Sequence, residues 1–246
     1  MTSPRNVVIT GAAGGISSEI TDRFLANGDT VLASDLSSEI LNSWRTRWDT
    51  GNLLVHPADV SSEDSLASLA AVAEERLGTI DILINAAGHF PQTPFEKISG
   101  DEWRRVIEVN LNGTFYTIQA LLPLLKTSSR GRIINIGSGG MFFGVPHQAH
   151  YIAAKAGVQG LTRVLARELG NDHPITVNLV TPGLVVTPAA VAVLPEPLLA
   201  MQRERRSFHR DEVPADVVGS VFFLASDDAA FITGQTLNVD GGLTMW

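Results

Sequence analysis

Short runs of β-branched and aliphatic residues alternate along the chain with longer stretches whose apolar positions recur every three or four residues. The short runs predict strands over 6–10, 30–35, 52–56, 80–85, 132–137, 175–181 and 235–239. The longer stretches predict helices over 15–27, 62–77, 101–125, 149–170 and 214–225, with a weaker one over 37–49. Val7-Val8-Ile9 and Ile82-Leu83-Ile84 are apolar on both faces, which suits strands of a parallel sheet covered by helices on each side. Repeated strand–helix units with right-handed crossovers imply a doubly wound α/β fold with about seven strands, helices on both faces. The even rhythm favours one domain spanning 1–246 over two smaller ones. Only residues 188–210 break the rhythm.

Composition narrows the class without naming a function. The chain is 44% hydrophobic and 18% charged, ordinary for a soluble globular protein. Its net charge of -8 argues against a nonspecific nucleic-acid surface, which would be basic. No apolar run approaches the ~20 residues of a membrane span. The stretch Met1 to Asn6 lacks a charged region followed by an apolar core, so a cytoplasmic location without a membrane partner is expected. With no cysteine, disulfides and thiolate metal sites are excluded. Arg203, Arg205, Arg206 and Arg210, interrupted by Glu204, Asp211 and Glu212, read as a solvated helix face.

In a doubly wound sheet, ligands bind outside the carboxyl ends of the strands. After the first strand comes Thr10-Gly11-Ala12-Ala13-Gly14-Gly15-Ile16-Ser17, then a helical pattern. Such glycines let backbone approach a pyrophosphate, and the helix start offers N–H groups. The turn has no Lys followed by Ser or Thr, so it is not a nucleotide-triphosphate loop. The second strand ends at Asp35, 24 residues beyond Gly11 and close to the ~20-residue offset at which a carboxylate reads adenosine ribose hydroxyls. It would repel a 2′-phosphate, and neither the glycine turn nor the residues directly after Asp35 supply an Arg or Lys. NAD(H) is therefore expected over NADP(H). Asp35 also suits a helix N-terminus, though Ser37 and Ser38 are equally available as caps.

The strand over 132–137 runs into Ser138-Gly139-Gly140, and the next helix opens with Tyr151-Ile152-Ala153-Ala154-Lys155. Residues at i and i+4 share a helix face, so Lys155 lies beside Tyr151. An ammonium there, together with a cationic nicotinamide ring, is expected to lower the phenol from its usual value near 10 toward a useful acid–base range. Tyr151 would then protonate a carbonyl oxygen in reduction and take the alcohol proton in oxidation.

With these pieces in place, the whole chain resembles the short-chain dehydrogenase/reductase family, in its shorter single-domain branch. Thr10-Gly11 through Gly15, Asp59-Val60, Asn85-Ala86-Ala87-Gly88, Asn110, Ser138, Tyr151 with Lys155, Pro182-Gly183 and Thr187 appear in the family's order over nearly all 246 residues. The resemblance implies roles. Gly11 and Gly15 would cradle the pyrophosphate, with Ile16 in the same cofactor-binding turn. Asp59 would bond the adenine amino group with Val60 beside it, and Asn85, Ala86 and Gly88 would border the adenosine ribose. Ser138 would hold the substrate oxygen, Lys155 would also grip the nicotinamide ribose, and Asn110 would support a water in a proton relay. Pro182, Gly183 and Thr187 would line the nicotinamide, with Thr187 bonding its carboxamide. Ser17 departs from the pattern, which ends there in a third glycine; the hydroxyl bears on cofactor affinity.

The segment over 188–210 would be a substrate lid. Its apolar run Pro188 to Pro195, with Leu198, Leu199 and Met201, points to a hydrophobic secondary alcohol or ketone, cyclic or aromatic. A plain helix pair packed on the core is the alternative. Phe90, Met141, Phe142, Phe143 and Val145 are candidate pocket walls or core. His89, His147 and His150 show no metal-ligand spacing and read as hydrogen-bonded loop residues, so no metal is expected. The C-terminal runs Phe223 to Asp228 and Ile232 to Gly242 resemble bacterial secondary-alcohol and pyridoxal-type dehydrogenases, which implies a homotetramer or dimer. Rival functions are a 3-oxoacyl-carrier-protein reductase using NADPH, a halohydrin-cleaving lyase, and a non-enzymatic NAD-sensing protein. Asp35 and the acidic charge oppose the first, Lys155 the second, and the complete Ser–Tyr–Lys set the third.

Overall fold

Successive residues of a strand face opposite ways, and the first strand splits its apolar residues between two helical layers accordingly. Val7 and Ile9 pack on one face of the sheet, Val8 on the other. The computed structural model describes residues 4–48 and 51–245. Met1, Thr2 and Ser3 and the end of the 37–49 helix at Asp49 lie outside the described residues.

The elements follow in order: β1 (Asn6–Thr10), α1 (Gly15–Ala26), β2 (Thr30–Asp35), α2 (Ser38–Arg47), β3 (Leu53–Pro57), α3 (Glu63–Leu77), β4 (Ile82–Asn85), α4 (Gly100–Ile107), α5 (Gly113–Leu125), β5 (Arg132–Ile136), α6 (Gly140–Phe143), α7 (Ala149–Asp172), β6 (Thr176–Pro182), α8 (Pro188–Val193), α9 (Glu196–Arg205), α10 (Pro214–Leu224) and β7 (Thr236–Val239). The seven strands form one sheet in the order β3-β2-β1-β4-β5-β6-β7. All its pairs are parallel. The order reverses between β1 and β4, which makes their carboxyl ends the switch point.

One layer buries Ile20 and Phe24 of α1, Leu41 of α2 and Val217 and Val221 of α10 against Ile9, Val31, Ile84 and Ile134. The other buries Leu66 and Leu69 of α3, Leu121 and Leu125 of α5 and Leu169 of α7 against Leu32, Leu83, Ile133 and Val177. Each fully buried aliphatic side chain contributes about 1.5–3 kcal/mol over its exposed state. Serine caps set the helix starts. Ser37, Ser62 and Ser99 accept from the amides of Ile40, Ser65 and Glu102. Ser37 thus caps α2, which leaves Asp35 free of that duty.

One predicted element differs. The helix expected over 101–125 is broken by a π-helical turn, Glu108–Asn112. The Asn110 amide donates to the carbonyl of Val106 at 2.9 Å, taking the acceptor one turn back. A side chain that competes for helix carbonyls distorts the backbone, and such turns gather at functional sites. The 188–210 segment forms the helix pair α8 and α9. The side chains at 188, 189 and 193, part of its apolar reading, lie outside the described residues.

Candidate active site

In the Arg cluster, Arg205 and Arg210 are exposed as expected, and Arg206 is the exception. Arg206 is buried and donates to Glu212 at 3.1 Å and to the carbonyl of Leu184 at 2.8 Å. Arg203 pairs with Glu196 and Asp211, and Arg210 with Asp216. The amide of Gly183 donates to Glu212 at 3.2 Å, and the amide of Val186 to the carbonyl of Glu212 at 2.7 Å. Burial pushes the Glu212 carboxyl up to about 7 against the pull of Arg206. These bonds tie both roots of the α8–α9 segment to the carboxyl end of β6.

At the switch point the contacts are made by backbone. Gly11 has φ +65, and a Cβ there would stand 2.5 Å from the backbone of Ala87. Only glycine lets these two turns touch. Ala86 donates its amide to the carbonyl of Thr10 at 3.2 Å. A Cβ on Gly15 would fall 2.6 Å from the Thr187 methyl, so Thr187 lies over the start of α1. The Thr187 hydroxyl accepts from Ala190 and caps α8. Ile16 packs beside the core, and Ser17 is buried within the first turn of a regular α1 without disrupting it.

Asp35, half-buried, accepts from the amide of Ala13 at 3.0 Å and from that of Ser37 at 3.3 Å. A carboxylate keeps further acceptor capacity after two such bonds. Asp59 accepts from the amide and hydroxyl of Ser61 at 2.9 and 2.6 Å. Burial alone would raise its carboxyl; the Ser61 bonds and Arg105 outweigh that and hold it below the usual range. Val60 is buried against Gly113 behind it. Asn85 donates to Asn135 at 2.8 Å, and Asn135 to Thr162 at 2.9 Å. The Asn85 carbonyl oxygen is buried without a partner.

These features fit a dinucleotide. The N-cap of α1 is Gly14, which makes no side-chain bond, and the first turn holds no acidic residue. Its leading amides lack intrahelical acceptors and suit a phosphate. The orphaned Asn85 oxygen marks a polar site beside them.

Catalytic candidates converge at the ends of β4 and β5. Tyr151 stands in the first turn of α7 and hydrogen-bonds the Ser138 hydroxyl. Lys155, buried one turn on, donates to the carbonyl of Ile136 at 2.8 Å and lies 5.7 Å from the Tyr151 ring centroid. A Cβ on Gly88 would meet the Asn110 oxygen at 3.1 Å and the Lys155 ammonium at 4.0 Å. Asn110 is fully buried and donates to the carbonyl of His89 at 2.7 Å. Pro182 accepts from the amide of Gly139 at 2.8 Å.

In the protein by itself, burial acts on both groups of this pair. Burial pushes the Tyr151 phenol up to about 12, with the Ser138 hydrogen bond pulling the other way. Burial likewise drops Lys155 to about 8. Both charged forms lose water, which disfavours the phenolate and the ammonium alike.

Phe90 remains 64% exposed, with its ring edge-on to Tyr151 at 6.1 Å between centroids. Phe143 packs under Arg205 of α9 at 5.5 Å. Phe142 instead borders a groove with Gln159, Arg163 and Met245, away from these groups. His150 is in the first turn of α7 rather than a loop and is fully buried. Sequence reasoning passed over its partner Glu102, and also Asn135 and Thr162. Their positions carry no motif, and only the fold brings them together.

Comparison with known proteins gives the family. A family model described as "Enoyl-(Acyl carrier protein) reductase" matches residues 11–244. The 3-oxoacyl-[acyl-carrier-protein] reductase FabG of Thermotoga maritima is 35% identical over 97% of each chain. The trans-4-hydroxycyclohexanecarboxylate dehydrogenase of Sinomonas cyclohexanicum is 36% identical, covering 96% of this chain and 92% of its own. A crystal structure of a short-chain dehydrogenase/reductase from Brucella melitensis superposes with a TM-score of 0.93 at 34% identity, over 98% of this chain and 97% of that one. Homologues of this kind are oxidoreductases of secondary alcohols, ketones or 3-oxoacyl groups, and their dehydrogenases use nicotinamide cofactors. The chain belongs to the short-chain dehydrogenase/reductase family.

Proposed function

We propose that this protein is an NAD(H)-dependent alcohol dehydrogenase/ketoreductase acting on a hydrophobic, cyclic or aromatic secondary alcohol or its ketone. The observation that carries this is the meeting of Ser138, Tyr151 and Lys155 beside Gly88 and Asn110. A bound nicotinamide supplies or accepts the hydride. Tyr151 donates its proton to the carbonyl oxygen in reduction and recovers it from the hydroxyl in oxidation. Ser138 holds that oxygen and, through its bond to the phenol, keeps the two hydroxyls side by side. Lys155, charged below about pH 8, favours the phenolate as it forms and reaches toward the ribose.

The remaining roles follow position by position. The turn Gly11 to Ile16 takes the pyrophosphate, and Asp35 takes the adenosine ribose. Asp59 and Val60 border the adenine. Asn85, Ala86 and Gly88 line the ribose, while Pro182, Gly183 and Thr187 line the nicotinamide. Asn110 supports the relay behind Lys155. Asp35 favours NAD over NADP because Leu36 and Ser37, which follow it, bring no cation for a 2′-phosphate. The exposed Phe90 ring over Tyr151 favours a flat apolar substrate. The name of the Sinomonas relative, a ring-alcohol dehydrogenase, points the same way. The α8–α9 segment acts as the lid. We also propose a homo-oligomer, because Trp103 and Phe115 stay exposed on α4 and α5.

Incubating the protein with NAD⁺ and a panel of secondary alcohols, and following NADH absorbance, tests the proposal. Turnover is expected for cyclic and aromatic alcohols, and weaker turnover with NADP⁺. Turnover confined to 3-hydroxyacyl thioesters with NADP⁺ would favour the carrier-protein reductase suggested by the FabG relative. No turnover of any alcohol or ketone would remove the redox assignment.

A further inference from the structure

A helix leaves its first amides without intrahelical acceptors. In α7 the first intrahelical bond runs from Ile152 to the carbonyl of Gln148. The amide of Tyr151 is therefore one of the orphans. It donates instead to Nδ1 of the preceding residue, His150, at 2.8 Å. A ring whose Nδ1 accepts carries its proton on Nε2 when neutral. His150 Nε2 meets Glu102 Oε1 of α4 at 3.0 Å. The same oxygen accepts from the Thr93 hydroxyl at 2.5 Å. Thr93 lies in the loop after β4 that carries Phe90, and its amide donates to the carbonyl of His147 at 2.8 Å. His147 adopts φ 66, a conformation non-glycine residues rarely hold without support. A chain of bonds thus runs from the substrate-side loop, through Glu102 and a fully buried imidazole, to the backbone of the tyrosine.

We propose that His150 and Glu102 are positioning residues that fix the Tyr151 backbone, and with it the phenol, relative to the Phe90 loop. This rests on the redox role proposed for Tyr151. A network built only for stability would not need to end on that one amide. Small displacements of an acid–base group are costly in rate, on the order of a hundredfold for 1 Å. Loss of the tether is therefore expected in turnover more than in substrate binding.

Four variants separate the links. His150→Ala removes both bonds, whereas His150→Asn keeps an acceptor oxygen near the Nδ1 position. Glu102→Ala removes the anchor, whereas Glu102→Gln keeps an acceptor. We expect His150→Ala to lower kcat by about tenfold with KM within about twofold, Glu102→Ala and His150→Asn, which each break only the link between the ring and the carboxylate, to lower it by less, and Glu102→Gln to recover most of it. Wild-type kcat in His150→Ala, equal losses in His150→Ala and His150→Asn, or a loss confined to KM would overturn the proposal. If His150→Ala does not fold, the contrast between Glu102→Ala and Glu102→Gln decides alone.

A second readout does not depend on turnover. The chain has two tyrosines, so ¹⁵N-tyrosine labelling yields two amide signals, assigned with Tyr116→Phe. The Tyr151 amide is expected to exchange with solvent at least about tenfold faster in His150→Ala than in the wild type and His150→Asn. Equal exchange in all three would overturn the tether. If the wild-type protein oxidises no alcohol, the function proposed above fails while this measurement still judges the bond.

Discussion

The two ends of the cleft are built from different materials. At the end of β1 the work is done by backbone: Gly11 packs against Ala87, and Gly14 leaves the start of α1 uncapped. At the ends of β4 and β5 it is done by side chains, Asn110 and Lys155 buried and Tyr151 half-buried, each held by at least one hydrogen bond. Backbone amides are neutral and keep their character whether buried or wet. A phenol and an ammonium do not: burial moves one up to about 12 and the other down to about 8. A region that only binds can be written in glycine. A region that moves protons must hold groups whose ionisation the surroundings set.

Substitutions at the two ends should therefore fail differently. The largest effect is expected at Tyr151→Phe, which deletes the proton donor and keeps the ring. Turnover should fall by about a thousandfold or more while NADH affinity, read by fluorescence titration, stays within a few-fold. A wild-type rate would remove Tyr151 from the chemistry. Gly11→Ala should act through the fold, because the new Cβ meets the Ala87 backbone at a positive φ. A destabilisation of about 1–3 kcal/mol in denaturant unfolding is expected, with weaker NADH binding. Unchanged stability would mean the two turns need not touch. The smallest effect belongs to Asp35→Ala, which should shift the ratio of kcat/KM for NAD over NADP by about tenfold, or ~1.4 kcal/mol. An unchanged ratio would move recognition of the adenosine ribose to another residue.

Much of the fold was legible from local pattern. All seven strands lie within two residues of their predicted ends, because doubly covered strands read as short apolar runs between glycine-rich turns. The Gly11 turn, Asp35, and the Tyr151–Lys155 pair were legible for the same reason: each is a short-range feature placed at a strand end. The break at Glu108–Asn112 was not legible, since the apolar spacing continues through it and the Asn110 side chain that takes the Val106 carbonyl also reaches the carbonyl of His89, in a loop distant in sequence.

The chain alone determined which residues alternate, where strands give way to turns, and which acid, base and glycine stand at those turns. Periodicity and backbone preference act over a few residues, so they survive in a linear string. Tertiary structure alone decided that Arg206 is buried on Glu212, that His150 reaches Glu102, and that burial pushes the phenol up. Each of these depends on how much water is excluded around a group, and exclusion is a property of the packed layers rather than of neighbours in sequence.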